Sequence, residues 1–301
     1  MIASRFLVVI ADDYGIGPET SRGIRDLARR SVVTGSVLLV NAPHAADAVR
    51  AWRRGTPGLD LGWHPCLTLD EPVAGAARVP TLVGADGRFL SLGRFLTRLY
   101  RGLVRPDDIE RELHAQYHRF VELVGRPPTL VNTHQHVALF PPVGAILIDL
   151  LRGCRPRPYL RRVREPWSVL ARIGEARLKR LVLSSLGRLH GRTQDRAGFP
   201  GNDWLAGAAG IRPLGDPSFF GRWLSRMPGR VVELMCHPGH HDPTLIGRDS
   251  GNDPGPLERR VEEWNLLAHP DFREAVRSSG FTLAVPSSLG APRLGGVAHA
   301  A

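Results

Sequence analysis

Six groups able to bind a metal ion or move a proton recur at one kind of place along this chain. Asp12 and Asp13 end the apolar run Phe6 to Ala11, and His64 follows Leu59 to Trp63. His134 and His136, with Asn132, close Thr129 to Thr133, and His237 follows Val231 to Cys236. Imidazole combined with one carboxylate suits a borderline divalent ion such as zinc, cobalt or nickel. Three protein ligands leave a coordination position for water, which marks a catalytic rather than a structural site. Adjacent aspartates can divide the labour, one holding the ion and one taking a proton, since strand alternation turns neighbouring side chains in different directions. His134 and His136, two apart, face one side of a strand, and Asn132 shares that face as an orienting partner. Each signal alone has a plainer reading. Asp12-Asp13 fits an Asx turn or helix N-cap before Gly15, His64 a loop histidine, and His134/His136 a solvent-facing strand end. His237 precedes Pro238-Gly239, a forced turn that fixes its direction, and His240-His241-Asp242 continues that loop. The recurrence outweighs the separate readings, because parallel α/β folds gather the carboxyl ends of their strands around one crevice or barrel mouth.

The elements that must position these groups follow from hydrophobic patterning. Phe6 to Ala11 is a continuous apolar run, suited to a parallel strand buried on both faces. Further strands are expected at Ser36–Val40, Leu59–Trp63, Thr129–Thr133, Val231–Cys236 and Phe281–Val285. Helices are expected at Thr20–Arg30, Ala45–Arg54, 143–152 and 257–268. The clearest is 107–124, where Ile109, Leu113, Tyr117, Phe120, Val121 and Val124 keep helical spacing. Asp107 with Glu110 resembles a capping box, and Gly125 with Pro127-Pro128 ends the helix. Residues 72–105 read as an inserted Gly- and Pro-rich loop with a turn at Asp86-Gly87. Alternating strands and helices make the class α/β with a parallel sheet, in one domain over 1–289, and 290–301 as a disordered tail.

The length of 301 residues, with 43% hydrophobic and 23% charged residues, supports a sizeable core and excludes wholesale disorder. No apolar run is long enough for a membrane-spanning helix, and the N-terminus lacks a signal-peptide pattern, so a cytoplasmic location is expected. Three cysteines without a CxxC pair exclude a Cys-rich zinc site and a disulfide framework. The net charge of +11 is concentrated, because residues 152–192 hold twelve basic residues against Glu165 and Glu175. That segment lacks a nucleic-acid motif, so no nucleic-acid partner is expected. Leu170, Ile173, Leu178, Leu181, Val182, Leu183 and Leu186 mix with its cations without falling on one clean face. It reads as a solvated arginine-rich face, with peripheral membrane contact as the alternative. Gly15-Ile16-Gly17 lacks the third glycine of a dinucleotide loop and follows two repelling carboxylates.

Five motifs in order resemble the YdjC-like carbohydrate deacetylases, a family that includes chitin-disaccharide deacetylases and deacetylases associated with hopanoid biosynthesis. They are Ala11-Asp12-Asp13-Tyr14-Gly15, Val33-Thr34-Gly35-Ser36, Gly62-Trp63-His64-Pro65-Cys66-Leu67-Thr68, Asn132-Thr133-His134-Gln135-His136-Val137, and Glu233-Leu234-Met235-Cys236-His237-Pro238-Gly239. The resemblance spans roughly residues 5–290 and implies an irregular (β/α) barrel that removes N-acetyl groups from amino sugars or glycoconjugates. It implies one divalent ion, zinc or magnesium with cobalt or nickel as alternatives, held by Asp13, His64 and His134. Asp12 would be the general base and His237 the general acid, with Asn132, His136 and either Arg162 or Arg164 contacting substrate. Ala138 stands where the family commonly has a further His, and Asn132 where it often has Asp; both departures bear on substrate rather than on the three ligands. A homodimer is open as a further partner. The alternative function is a catalytically altered barrel that binds anionic or lipid-linked ligands through 152–192.

Overall fold

A computed structural model describes residues 4–172, 176–207, 218–248 and 255–289. The expectation of a disordered tail at 290–301 lies outside the described residues. One sheet organises the α/β fold, with all its paired strands parallel. The strands are β1 (Arg5–Tyr14), β2 (Gly35–Leu38), β3 (Asp60–Trp63), β4 (Leu130–Val131), β5 (Tyr159–Leu160), β6 (Trp204–Ala206), β7 (Val231–Cys236) and β8 (Phe281–Leu283). Their order is β5-β4-β3-β2-β1-β7-β6. β8 pairs with Arg5 to Leu7 of β1, on the edge whose later half is taken by β2. β1 is central and buried from Leu7 to Tyr14, as its unbroken apolar run requires.

The sheet curls into a half-barrel. Its ends, β5 and β6, are tied by single bonds rather than a ladder. Leu205 N–H donates to the Arg164 carbonyl at 2.8 Å, and the Asn202 side chain bonds both the N–H (2.7 Å) and the carbonyl (2.8 Å) of Arg162. This is the irregular barrel expected, with an incomplete seam.

Ten helices are described around the sheet. They are α1 (Pro18–Arg29), α2 (Ala45–Gly55), α3 (Leu92–Tyr100), α4 (Pro106–Val124), α5 (Val143–Leu151), α6 (Trp167–Arg172), α7 (Arg177–Arg196), α8 (Phe219–Leu224), α9 (Gly255–Ala268) and α10 (Pro270–Ser278). Several elements depart from expectation for local reasons. The capping-box reading of Asp107 fails because Pro106 opens α4 and Arg105 holds the cap position without a side-chain cap. Asp108 does the neighbouring work instead, accepting from the Thr81 N–H (3.0 Å) and hydroxyl (2.7 Å). Residues 72–105 are not simply loop. They contain α3, whose Phe95 is buried in the core, and a Val83–Phe89 bridge that brackets the expected turn. β5 and β6 are too short for a periodic signal, and only their neighbours define them.

Candidate functional site

Parallel pairing brings the carboxyl ends of β1, β3, β4, β5 and β7 together at one end of the sheet. β1 carries a bulge there: Ala11 pairs with Ser36 and Tyr14 with Leu38, so β1 has one residue more than β2 over that interval. Asp13 absorbs it at φ +64°, a left-handed conformation that Asp tolerates better than most residues. Plain alternation would send Asp12 and Asp13 to opposite faces. The bulge lets both line one cleft of about 550 Å³, together with His64, His134, His136 and His237.

Asp13, His64 and His134 form the tightest group. Their ligand-type atoms all lie within 4.8 Å of one another, and all three residues are buried. Asp13 Oδ1 is 3.1 Å from His134 Nδ1 and 3.3 Å from His64 Nε2. The other ring nitrogen of His64, Nδ1, lies 3.1 Å from the Asn132 carbonyl oxygen. Donating there leaves Nε2 as the acceptor aimed at Asp13, the tautomer a metal-ligating histidine adopts. Two imidazole nitrogens and one carboxylate oxygen facing a common point suit a divalent ion of the zinc type, so these residues fit the group. Asp13 Oδ2 accepts from Arg260 Nη2 of α9 at 2.6 Å. Burial alone would push the Asp13 carboxyl up, but Arg260 and the two imidazoles hold it well below the usual range.

Asp12 sits in a different setting. Arg161, just past β5, grips it with two bonds, Nη1 to Oδ2 at 2.6 Å and Nη2 to Oδ1 at 2.8 Å. Asn132 Nδ2 donates to Oδ1 at 3.1 Å. Burial opposes ionisation here too, yet the Arg161 guanidinium brings the Asp12 carboxyl down to about 2. Arg161 is itself buried and also bonds Glu233 through Nε, while the Tyr159 hydroxyl donates to Glu233 at 3.1 Å. His237 Nε2 lies 4.0 Å from Asp12 Oδ2, with its ring one-third exposed to the cleft. Its backbone N–H donates to Glu263 of α9, whose carboxyl burial pushes up.

The structure therefore brings Asp12, Asp13, His64, Asn132, His134 and His237 together. The shared strand face expected for His134 and His136 is not found. β4 ends at Val131, and His134 opens a short 3₁₀ segment, His134–Leu139, with Gln135 (φ +50°) and His136 (φ +56°) left-handed. His134 turns to Asp13 while His136 lies between the cleft and a smaller cavity behind it. Burial, reinforced by the Arg161 charge, lowers the His136 imidazole to about 3, so it is neutral at ordinary pH.

Arg162 and Arg164 do not line the cleft. Arg162 is buried against Asp195 and the Phe199 carbonyl, and Arg164 donates to the Asp203 carbonyl and covers Trp204. The arginine that reaches the site is their neighbour Arg161, because side chains alternate along the extended stretch after β5. Arg260 was invisible in sequence, since nothing local distinguishes it from the other arginines. The concentrated charge of 152–192 is partly internal as well: Arg161 and Arg180 pair with buried carboxylates, and the buried Arg162 pairs with the exposed Asp195. Among the described residues, no helix is long and apolar enough to cross a membrane.

Comparisons with known proteins extend this picture. The model of the YdjC-like protein family matches residues 6–278. A chitooligosaccharide deacetylase of Escherichia fergusonii is 30% identical over 284 residues, covering 93% of this chain and 97% of that protein. One from Serratia marcescens is 29% identical over 280 residues with the same coverage. Among solved structures, an Enterococcus faecalis V583 chain assigned to cellobiose-phosphate cleavage superimposes with a TM-score of 0.76 at 23% identity. That superposition covers 95% of this chain and 99% of the other, and shows a shared fold. With the matched residues spanning β1 through α10 and every cleft residue named above, the chain belongs to the YdjC-like family.

Proposed function

We propose that this chain is a divalent-metal-dependent carbohydrate N-deacetylase, hydrolysing the acetamide of an amino sugar to acetate and a free amine. The observation that carries the reading is the buried Asp13–His64–His134 group beside Asp12 and His237 at one cleft. The relatives named as chitooligosaccharide deacetylases support an N-acetylated sugar as the substrate. A cleft of about 550 Å³ is within the usual range for a small-molecule site.

Asp13, His64 and His134 would hold the ion. Such an ion supplies Lewis acidity, polarising the amide carbonyl and making a water easier to deprotonate. Asp12, ionised throughout the working pH range, keeps one lone-pair site on Oδ2 unused by Arg161 and Asn132 and would take the proton of the attacking water with it. Arg161 and Asn132 fix that carboxylate in place, so little reorganisation is needed when the proton moves. As the carbonyl carbon gains the water oxygen and loses the amine nitrogen, His237 is placed to protonate the departing nitrogen. Its ring lines the cleft and is one-third exposed there.

The test is acetate release from N-acetylated chitooligosaccharides, with and without chelator, alongside elemental analysis. Purified protein should carry about one divalent ion per chain, and His64→Ala and His134→Ala should each lose it together with activity. Full metal content in both variants would overturn the ligand assignment. Chelator-resistant acetate release would overturn the metal dependence.

A further inference from the structure

We propose that the outer face of α7, with Trp167 of α6 beside it, is a docking surface for an anionic lipid bilayer. The helix carries apolar side chains on two sides, one packed and one exposed. Its fully buried positions are Arg180, Ser184, Gly187, Gly191 and Gln194, and beside them Leu183 and Leu186 pack half-buried against Leu139, Val163, Leu205 and Met235. At Gly187 the approach is closest: a Cβ there would overlap the Val163 carbonyl oxygen, so no side chain fits at that position. The outward positions are Leu178, Val182 and Leu189, exposed by 75%, 49% and 62%. These three lie within about 40° of one another at the helical repeat, opposite the buried row. Trp167, 60% exposed, extends the apolar surface and carries the Arg188 guanidinium 4.6 Å above its ring. An ordinary surface helix keeps its leucines and valines against the core; here Leu178, Val182 and Leu189 form a second apolar row that faces out, which marks an interaction surface.

The charge around this face selects its occupant. Arg177, Arg192 and Arg196 are exposed on the same helix, and Lys179 is exposed beside the cleft. Among the described residues of α6 and α7 the sole acid is Asp195, which pairs with Arg162. A second copy docking through this face by a twofold axis would set these cations against themselves. A bilayer carrying anionic headgroups accepts both features, taking the apolar side chains into its interface and the arginines among its phosphates. Lys179 and Leu183 of α7 also line the cleft, so docking would bring the cleft rim to the headgroup layer.

The surface is independent of the reaction catalysed and is tested by flotation of the full-length protein. The probes are vesicles of phosphatidylcholine alone and of phosphatidylcholine mixed with phosphatidylglycerol. The protein should float with the mixed vesicles and much less with the neutral ones. The triple variant Leu178→Gln, Val182→Gln, Leu189→Gln should keep its melting temperature, because these side chains are exposed, and bind about a hundredfold more weakly. Replacing Arg177, Arg192 and Arg196 with Gln should weaken binding to a similar degree, and high salt should mimic that variant. Equal flotation of wild type and both variants would overturn the proposal. So would absence of wild-type flotation, or a lipid-free dimer on sedimentation that the leucine–valine variant dissolves.

Discussion

The two adjacent aspartates show how neighbouring residues of identical chemistry are given different work. Asp13 shares one oxygen between two imidazoles and gives the other to Arg260, whereas Asp12 is clamped through both oxygens by Arg161. Asp12→Asn keeps the shape but removes the proposed proton acceptor, so the rate should fall by roughly 10²–10⁴-fold. The variant should retain its metal. Because Arg161 would then face an uncharged amide, the protein should also lose about 1–3 kcal/mol of stability. Asp13→Asn should instead weaken metal binding. Elemental analysis beside kinetics separates the two, and matching behaviour of the variants would refute the division of labour. The sequence made both aspartates candidates, but Arg161 was displaced by one position in its arginine run. Neither Arg161 nor Arg260 has a neighbour in sequence that announces its carboxylate partner, 149 or 247 residues away.

Element α7 is held by close approach and a buried ion pair as well as by the half-buried Leu183 and Leu186. Arg180 is buried and its Nε donates to both oxygens of Glu165, at 3.0 and 3.1 Å. Arg180→Gln strands Glu165 in the interior and should cost about 3–5 kcal/mol. Arg177→Gln on the exposed side should stay within about 0.5 kcal/mol. Gly187→Ala would ordinarily help a helix by about 1 kcal/mol, yet here the added methyl meets the Val163 carbonyl. A net loss of about 1–3 kcal/mol is expected, because the backbone at Val163 must move. Urea unfolding of the three variants checks the ordering, and a stabilised Gly187→Ala would show that α7 does not lie against that carbonyl. Sequence periodicity treated 152–192 as one solvated face. It could not separate inward from outward arginines, because the inward ones look the same until a carboxylate from another segment meets them.

For the whole molecule, the site couples folding to pH. Asp12 has a folded value near 2 against 3.8 for the free carboxyl, so it contributes about 2 kcal/mol of stability above pH ~4. That contribution disappears as the pH falls toward 2, since the unfolded chain takes the proton first. Glu233 and Glu263 are shifted upward by burial and work in the opposite direction as pH rises. Metal-free protein should therefore show a steeper stability loss between pH ~4 and ~2 than its Asp12→Asn counterpart, measured by denaturant titration. Parallel pH dependences in the two proteins would mean that Arg161 does not hold Asp12 ionised.

Sequence alone determined the α/β class, the parallel sheet and the strand ends at which Asp12, Asp13, His64, His134 and His237 stand. It could do so because a strand buried on both faces must be continuously apolar, and the polar residues that break the run mark the end that meets the site. β1 carries that signal from Phe6 to Ala11, and β7 from Val231 to Cys236 with Glu233 as its single interruption. Two-residue strands such as β4 and β5 carry almost none, so the extension of β4 to Thr133 and the shared face of His134 and His136 were not found. Only the tertiary structure decided the bulge that turns both aspartates into one cleft, the choice of Arg161 over Arg162 and Arg164, and the packed and exposed faces of α7. Each depends on partners distant in the chain: the register of β2 against β1, a carboxylate from β1, and the Val163 carbonyl after β5. Local periodicity records which way a residue would like to face, and these contacts settle which way it does.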